Sequence, residues 1–120
     1  MKIGAPKESA RGEARVALTP ESAQHIQKLG HECLIEACAG EAAGFNDDAY
    51  RNAGVSVVDS ADALWRDAEV VIKVREPSDA EVKLLREGQT LITFFWPAQN
   101  EALLEACKAQ GATVVAMDMV

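Results

Sequence analysis

Val70-Val71-Ile72-Lys73-Val74 decides the fold. A run this short and nearly continuous in β-branched apolar residues predicts a strand covered by helices on both faces, hence a central strand of a parallel sheet. Its neighbours agree. Upstream, Ser60 caps a helix whose Ala61, Leu64, Trp65 and Ala68 fall at i, i+3, i+4 and i+7, a stripe that must face a sheet. Downstream, Ser78 and Glu81 have capping-box spacing ahead of Val82 and Leu85, and Gly88 stops that helix. The alternation continues outward. A strand over 2–5 leads through a polar loop to a helix capped by Thr19, with Pro20 at its first position, Ala23, Ile26 and Leu29 on one face and Gly30 past its end. Strands follow over 32–37 and 55–58, separated by a short helix that Asn46 caps and Gly54 closes. Beyond the central run come a strand over 91–95, a helix capped by Asn100 with Leu103, Leu104 and Cys107 on one face and Gly111 at its end, and a sixth strand over 113–117. Short connections suit right-handed β-α-β crossovers, so the fold class expected is α/β: an open parallel sheet of about six strands flanked by helices.

The 120 residues, with 48% apolar residues and a net charge of −7, have the composition of one globular domain rather than a disordered or fibrous chain. Such a chain buries roughly two-thirds of its unfolded surface and needs no disulfide or metal staple. Acidic excess argues against nucleic acid or an anionic membrane surface as partner. No apolar run approaches the ~20 residues that cross a bilayer, and Met1-Lys2-Ile3-Gly4 lacks the apolar stretch of a signal peptide, so a cytoplasmic location without membrane insertion is expected. Cys33, Cys38 and Cys107 are odd in number and include no C-x-x-C pair; they read as reduced, mostly packed thiols, and no metal site is expected. No linker or repeat divides residues 1–120, and Val120 falls directly after the last strand, without the helix that should cover it. The chain therefore reads as a fragment of a larger domain.

Chemistry is sparse. A dinucleotide site needs a Gly-rich turn after the first strand, and none is present; Gly40-Glu41-Ala42-Ala43-Gly44 has the wrong spacing and reads as a flexible β-α loop. His25 and His31 read as surface histidines, and Asp47-Asp48 as acidic residues favoured at a helix start. Open parallel sheets bind ligands at the carboxyl ends of their strands. There the chain places the charged loop over 6–15, Lys73-Val74-Arg75-Glu76-Pro77 and Trp96-Pro97-Ala98-Gln99-Asn100. An arginine in such a place can clamp a carboxylate or a neighbouring segment.

Read in order, Ile3-Gly4-Ala5-Pro6-Lys7-Glu8, Glu13-Ala14-Arg15-Val16-Ala17-Leu18-Thr19-Pro20, Ala37-Cys38-Ala39-Gly40, Lys73-Val74-Arg75-Glu76-Pro77 and Thr93-Phe94-Phe95-Trp96-Pro97-Ala98-Gln99-Asn100 resemble the amino-terminal domain shared by alanine dehydrogenases and the NAD(P) transhydrogenase alpha subunit. The resemblance covers the whole chain and implies a flavodoxin-like amino-terminal domain. Alanine dehydrogenases share Arg15 but hold the keto acid with a lysine where this chain has Arg75, and use a histidine where it has Trp96. Indole neither accepts nor donates a proton at neutral pH, so the acid/base step of reductive amination has no agent there. The Trp-Pro-Ala-Gln-Asn run is the transhydrogenase form.

That branch implies hydride transfer from NADH to NADP+, coupled to proton translocation. NAD(H) is then the cofactor of the full-length protein and NADP(H) is held on a partner subunit or domain. The implied partners are a second copy in a homodimer, the transhydrogenase beta subunit and membrane domains, with the chain peripheral at the bacterial inner membrane. A separate Rossmann lobe would carry the Gly-rich fingerprint, and a helical segment from later in the chain would complete this lobe. Hydride transfer between two nicotinamides needs positioning and exclusion of water rather than a protein acid or base. Arg15, Arg75 and Gln99 are accordingly candidates for the cleft wall, with no catalytic residue assigned. Residues 1–120 alone are expected to fold marginally and not to bind NADH. An amino-acid dehydrogenase or a saccharopine-dehydrogenase relative is the alternative within enzymes, and a flavodoxin-like binding or scaffold module outside them. Glycine is the residue expected at Cys38, where cysteine is strained if φ is positive.

Overall fold

A computed structural model describes residues 1–8, 15–75, 78–93 and 101–116. Six strands, β1 (Lys2–Ala5), β2 (Glu32–Glu36), β3 (Ser56–Val58), β4 (Val70–Ile72), β5 (Thr90–Thr93) and β6 (Thr113–Ala116), alternate with five helices, α1 (Pro20–Lys28), α2 (Asp47–Asn52), α3 (Ala61–Asp67), α4 (Asp79–Leu84) and α5 (Glu101–Ala109). All strand pairs are parallel, in the order β3-β2-β1-β4-β5-β6. This is the open, helix-flanked sheet expected from the sequence. Its order is the doubly wound 3-2-1-4-5-6, with one more strand beyond β2 than the 2-1-3-4-5 of flavodoxin. The central run lies beside β1 at the middle of the sheet, with Ile3 opposite Val70 and Gly4 opposite Val71.

Helices α1 to α4 each start where a capping side chain takes free amides, and Asn100, expected to cap α5, lies outside the described residues. Thr19 Oγ1 accepts from Ser22 N at 3.1 Å while Ser22 Oγ accepts from Thr19 N at 2.9 Å. Asn46, Ser60 and Ser78 cap α2, α3 and α4 in the same manner. One expected packing position is wrong: Leu29 is 77% exposed. Helix α1 ends at Lys28, and Leu29 caps it with its N–H turned back to Ile26 O, which takes the side chain off the stripe.

The sheet has a core on each face. Leu34, Val71 and Leu91 pack with Leu64, Trp65, Ala68, Val82, Leu85 and Cys107 against α3, α4 and α5. Ala5, Cys33 and Ile35 pack with Leu18, Ala23, Tyr50 and Val55 on the α1–α2 side. A Cβ on Gly4 would lie 2.9 Å from Ala68 Cβ and 3.0 Å from Leu64 Cδ1, so glycine here lets α3 rest directly on β1. On the α1–α2 side, Ile72 and Ile92 are half-buried and Val115 is 37% exposed. Cys33 and Cys107 are packed thiols as expected, and burial pushes Cys107 up to about 11. Cys38 is half-exposed. Among the described residues, no helix is long and apolar enough to cross a membrane.

Candidate functional site

In a sheet of this order the crevice opens where the winding reverses, between the carboxyl ends of β1 and β4. Strand β4 was expected to run to Val74 but ends at Ile72. Lys73 N still reaches Ile92 O at 2.9 Å, and then the chain turns out of the sheet. The cause is Glu8, just past β1. Its Oε2 accepts from Val74 N at 2.9 Å and its Oε1 from Arg75 N at 3.2 Å, so a carboxylate stands in for the missing neighbour strand. Arg75 O accepts from the buried Thr93 Oγ1 at 2.8 Å, holding the same residue from β5.

Lys73 neutralises that carboxylate. Its Nζ lies 3.2 Å from Glu8 Oε1 and 3.2 Å from Glu81 Oε2, with side-chain exposures of 1%, 2% and 10% for Lys73, Glu8 and Glu81. Glu81 was expected only as half of a capping box. It does accept from Ser78 N at 2.9 Å through Oε1, and its second oxygen serves the ion pair. Burying such ions costs several kcal/mol each unless geometry and further hydrogen bonds offset it. Here both carboxylates take backbone amides as well as the ammonium. The cluster thus ties together the loop after β1, the end of β4 and the start of α4.

On the other side of β1 the loop after β2 is built rather than flexible, contrary to expectation. Gly40 is buried, and a Cβ there would lie 2.6 Å from Tyr50 Cε2 and 2.8 Å from Phe45 O. Tyr50 donates to Leu18 O at 2.7 Å, and burial, with Asp47 adding, pushes its hydroxyl up to about 12. Asp47 does more than favour a helix start: its Oδ1 accepts from Cys38 N at 2.9 Å. That bond helps hold Cys38 at φ 66°, the left-handed region suited to glycine. The Glu41 carboxylate raises the Cys38 thiol, so it stays protonated at neutral pH and is a weak nucleophile. Cys38→Gly is expected to raise stability by about 0.5–1 kcal/mol, strain relief outweighing the entropy of glycine in the unfolded chain. Urea unfolding of the intact protein measures it, and a decrease would mean that the thiol's own contacts outweigh the strain.

Two cavities open at this edge. One of about 200 Å³ is lined by Lys7, Glu8, Arg15, Cys38 and Glu41 among others. The second, about 430 Å³, is lined by Arg15, Val16, Ala17, Ile72, Lys73, Val74 and Ile92. Arg15 lines both. Arg75 sits at the bend after β4, half-buried, beside the second cavity's Val74. Gln99 and Trp96 lie outside the described residues, as do residues 9–14 of the charged loop over 6–15. His25 is exposed as expected, but His31 is half-buried, with Nδ1 shielded and lacking a hydrogen-bond partner among the described residues. Among the described residues no group of three or more His, Cys, Asp or Glu side chains is placed to hold a metal.

The profile of the family described as "Alanine dehydrogenase/PNT, N-terminal domain" matches residues 4–120. The chain belongs to that family. It is 65% identical over its whole length to the NAD(P) transhydrogenase subunit alpha of Cereibacter sphaeroides, of which it covers 23%, and 42% identical to an alanine dehydrogenase of Halomonas elongata, of which it covers 32%. Among solved structures, a transhydrogenase from Sinorhizobium meliloti superposes with a TM-score of 0.93 at 34% identity over 99% of this chain and 35% of that one. An L-alanine dehydrogenase gives a TM-score of 0.92 at 41% identity, over 97% and 32%. This member of the alanine dehydrogenase/PNT N-terminal domain family thus spans a quarter to a third of the relatives it matches. Its described residues do not fit a complete dinucleotide. The tight glycine turn that brings a pyrophosphate to a helix N-terminus is missing after β1, and Gly4 is occupied by α3. What they form is a strand-end edge with two cavities.

Proposed function

We propose that this chain is the amino-terminal part of the NAD(H)-binding alpha subunit of a proton-translocating NAD(P) transhydrogenase, in which hydride passes from NADH to NADP+. The observation that carries this reading is the 65% identity to a transhydrogenase alpha subunit over all 120 residues, against 42% to an alanine dehydrogenase over the same span. Arg75 and Trp96 support it, because they stand where the dehydrogenase branch has the lysine and histidine its chemistry uses. On this reading Arg15, Arg75 and Gln99 belong to the cleft wall, NADP(H) is held by the partner subunit, and the assembly is a homodimer with beta subunits, peripheral at the inner membrane on the cytoplasmic side. A Rossmann lobe elsewhere in the polypeptide grips the cofactor. A later helical segment covers Ile72, Ile92 and Val115, the apolar side chains on the α1–α2 face.

The intact protein, assembled in membranes with its partners, is expected to reduce NADP+ with NADH and to show no oxidation of NADH by pyruvate and ammonia. Robust amination would move the protein to the dehydrogenase branch. Titrated alone with NADH in a calorimeter, residues 1–120 are expected to give no heat of binding. Micromolar affinity would place the grip on these strands after all.

A further inference from the structure

We propose that Glu8 is a positioning residue for Arg75, fixing the backbone from which Arg75 meets the crevice. The inference rests on the reading that Arg75 stands in the wall of the NAD(H) cleft. Three donors converge on one carboxylate: Val74 N at 2.9 Å, Arg75 N at 3.2 Å and Lys73 Nζ at 3.2 Å. A carboxylate accepts all three because both oxygens are acceptors, whereas the amide of glutamine offers one oxygen and turns donors toward donors. The Glu8 and Lys73 side chains are only 2% and 1% exposed. A lost acceptor is therefore poorly replaced by solvent. Thr93 Oγ1 holds Arg75 O, so the backbone of Arg75 is gripped on both flanks of its Cα, through its N–H and its carbonyl. An apolar side chain at position 8 would pack more cheaply than a buried ion pair, but it would leave two amides at the crevice without acceptors.

The test compares Glu8→Gln, Arg75→Ala and the double variant in the assembled protein, reading the KM for NADH, kcat, and hydrogen exchange at the Val74 and Arg75 amides. Glu8→Gln is expected to speed exchange at those two amides by about tenfold or more while the β1–β2 ladder stays protected. It should raise KM several-fold with kcat nearly unchanged, and the double variant should be no worse than Arg75→Ala alone. Glu8→Asp, which keeps the charge, should recover part of the KM and carries the same comparison if Glu8→Gln does not fold. Unchanged amide exchange, additive effects on KM, or an Arg75→Ala variant with normal KM would each overturn the proposal. An assembly that transfers no hydride while the amides respond as expected would instead sink the transhydrogenase reading and leave Glu8's hold on the segment standing.

Discussion

Lys73→Met is expected to destabilise the intact protein by about 3–5 kcal/mol, the loss seen when one partner of a buried ion pair is removed and the other is stranded. Two carboxylates are stranded here, since Glu8 and Glu81 each lie 3.2 Å from the ammonium. Methionine is of similar length but brings no charge, and carboxylates with side chains only 2% and 10% exposed are poorly solvated once the ammonium is gone. Calorimetric melting should show the first transition falling by roughly ten degrees or more, given about 4–8 °C per kcal/mol for a domain of this size. A loss below about 1 kcal/mol would mean that the cluster is hydrated in solution and that the bend after β4 has another cause.

Trp65→Ala is expected to cost about 3–5 kcal/mol as well, through a different mechanism. Trp65 is fully buried in the α3–α5 core, where it packs with Leu64, Ala68, Val82 and Leu85. Truncation leaves a cavity that the rigid sheet behind it cannot fill. Trp65→Phe should cost far less, under about 1.5 kcal/mol, because it keeps most of the ring and removes an indole Nε1 that has no acceptor. The backbone carbonyl of Trp65, which accepts from Gln89 Nε2 at 2.6 Å, is untouched by either change. Urea unfolding of both variants separates the cases, and equal losses would show that the indole N–H has a partner in solution whose loss, rather than the volume, governs this position.

How much of this could be read from the chain depends on the distance over which each cause acts. Strand runs, helix stripes and capping residues are local, so the six strands, the capped helices and the central place of β4 were legible from the residues themselves. Strand ends were less so, because β4 stops where Glu8, 66 residues before Val74, supplies an acceptor. A signal was available, however. A lysine inside an otherwise apolar central strand requires an anion nearby, and Lys73 announces such a partner without naming it. Glu81 was hidden for another reason: its sequence spacing already had a sufficient explanation as a cap, which masked the second oxygen. Asp47 was missed in the same way, since the helix dipole accounts for an acid at that place without reference to Cys38 N. Arg15 was singled out because a charged loop after a central strand lies at the ligand-binding edge in any doubly wound sheet, and it lines both cavities there.

Placing the first strand in the middle of the sheet also orders events in time. As the chain leaves the ribosome, β1, β2 and β3 with α1 and α2 are made first, and each of these strands has a near neighbour in sequence to pair with. The other flank of β1 stays bare until Val70 and Val71 have been synthesised. Closure of that flank is a long-range event and so a slow one. The crevice is the seam where β1, with its earlier-made neighbours, meets β4, and it cannot close before that second flank exists.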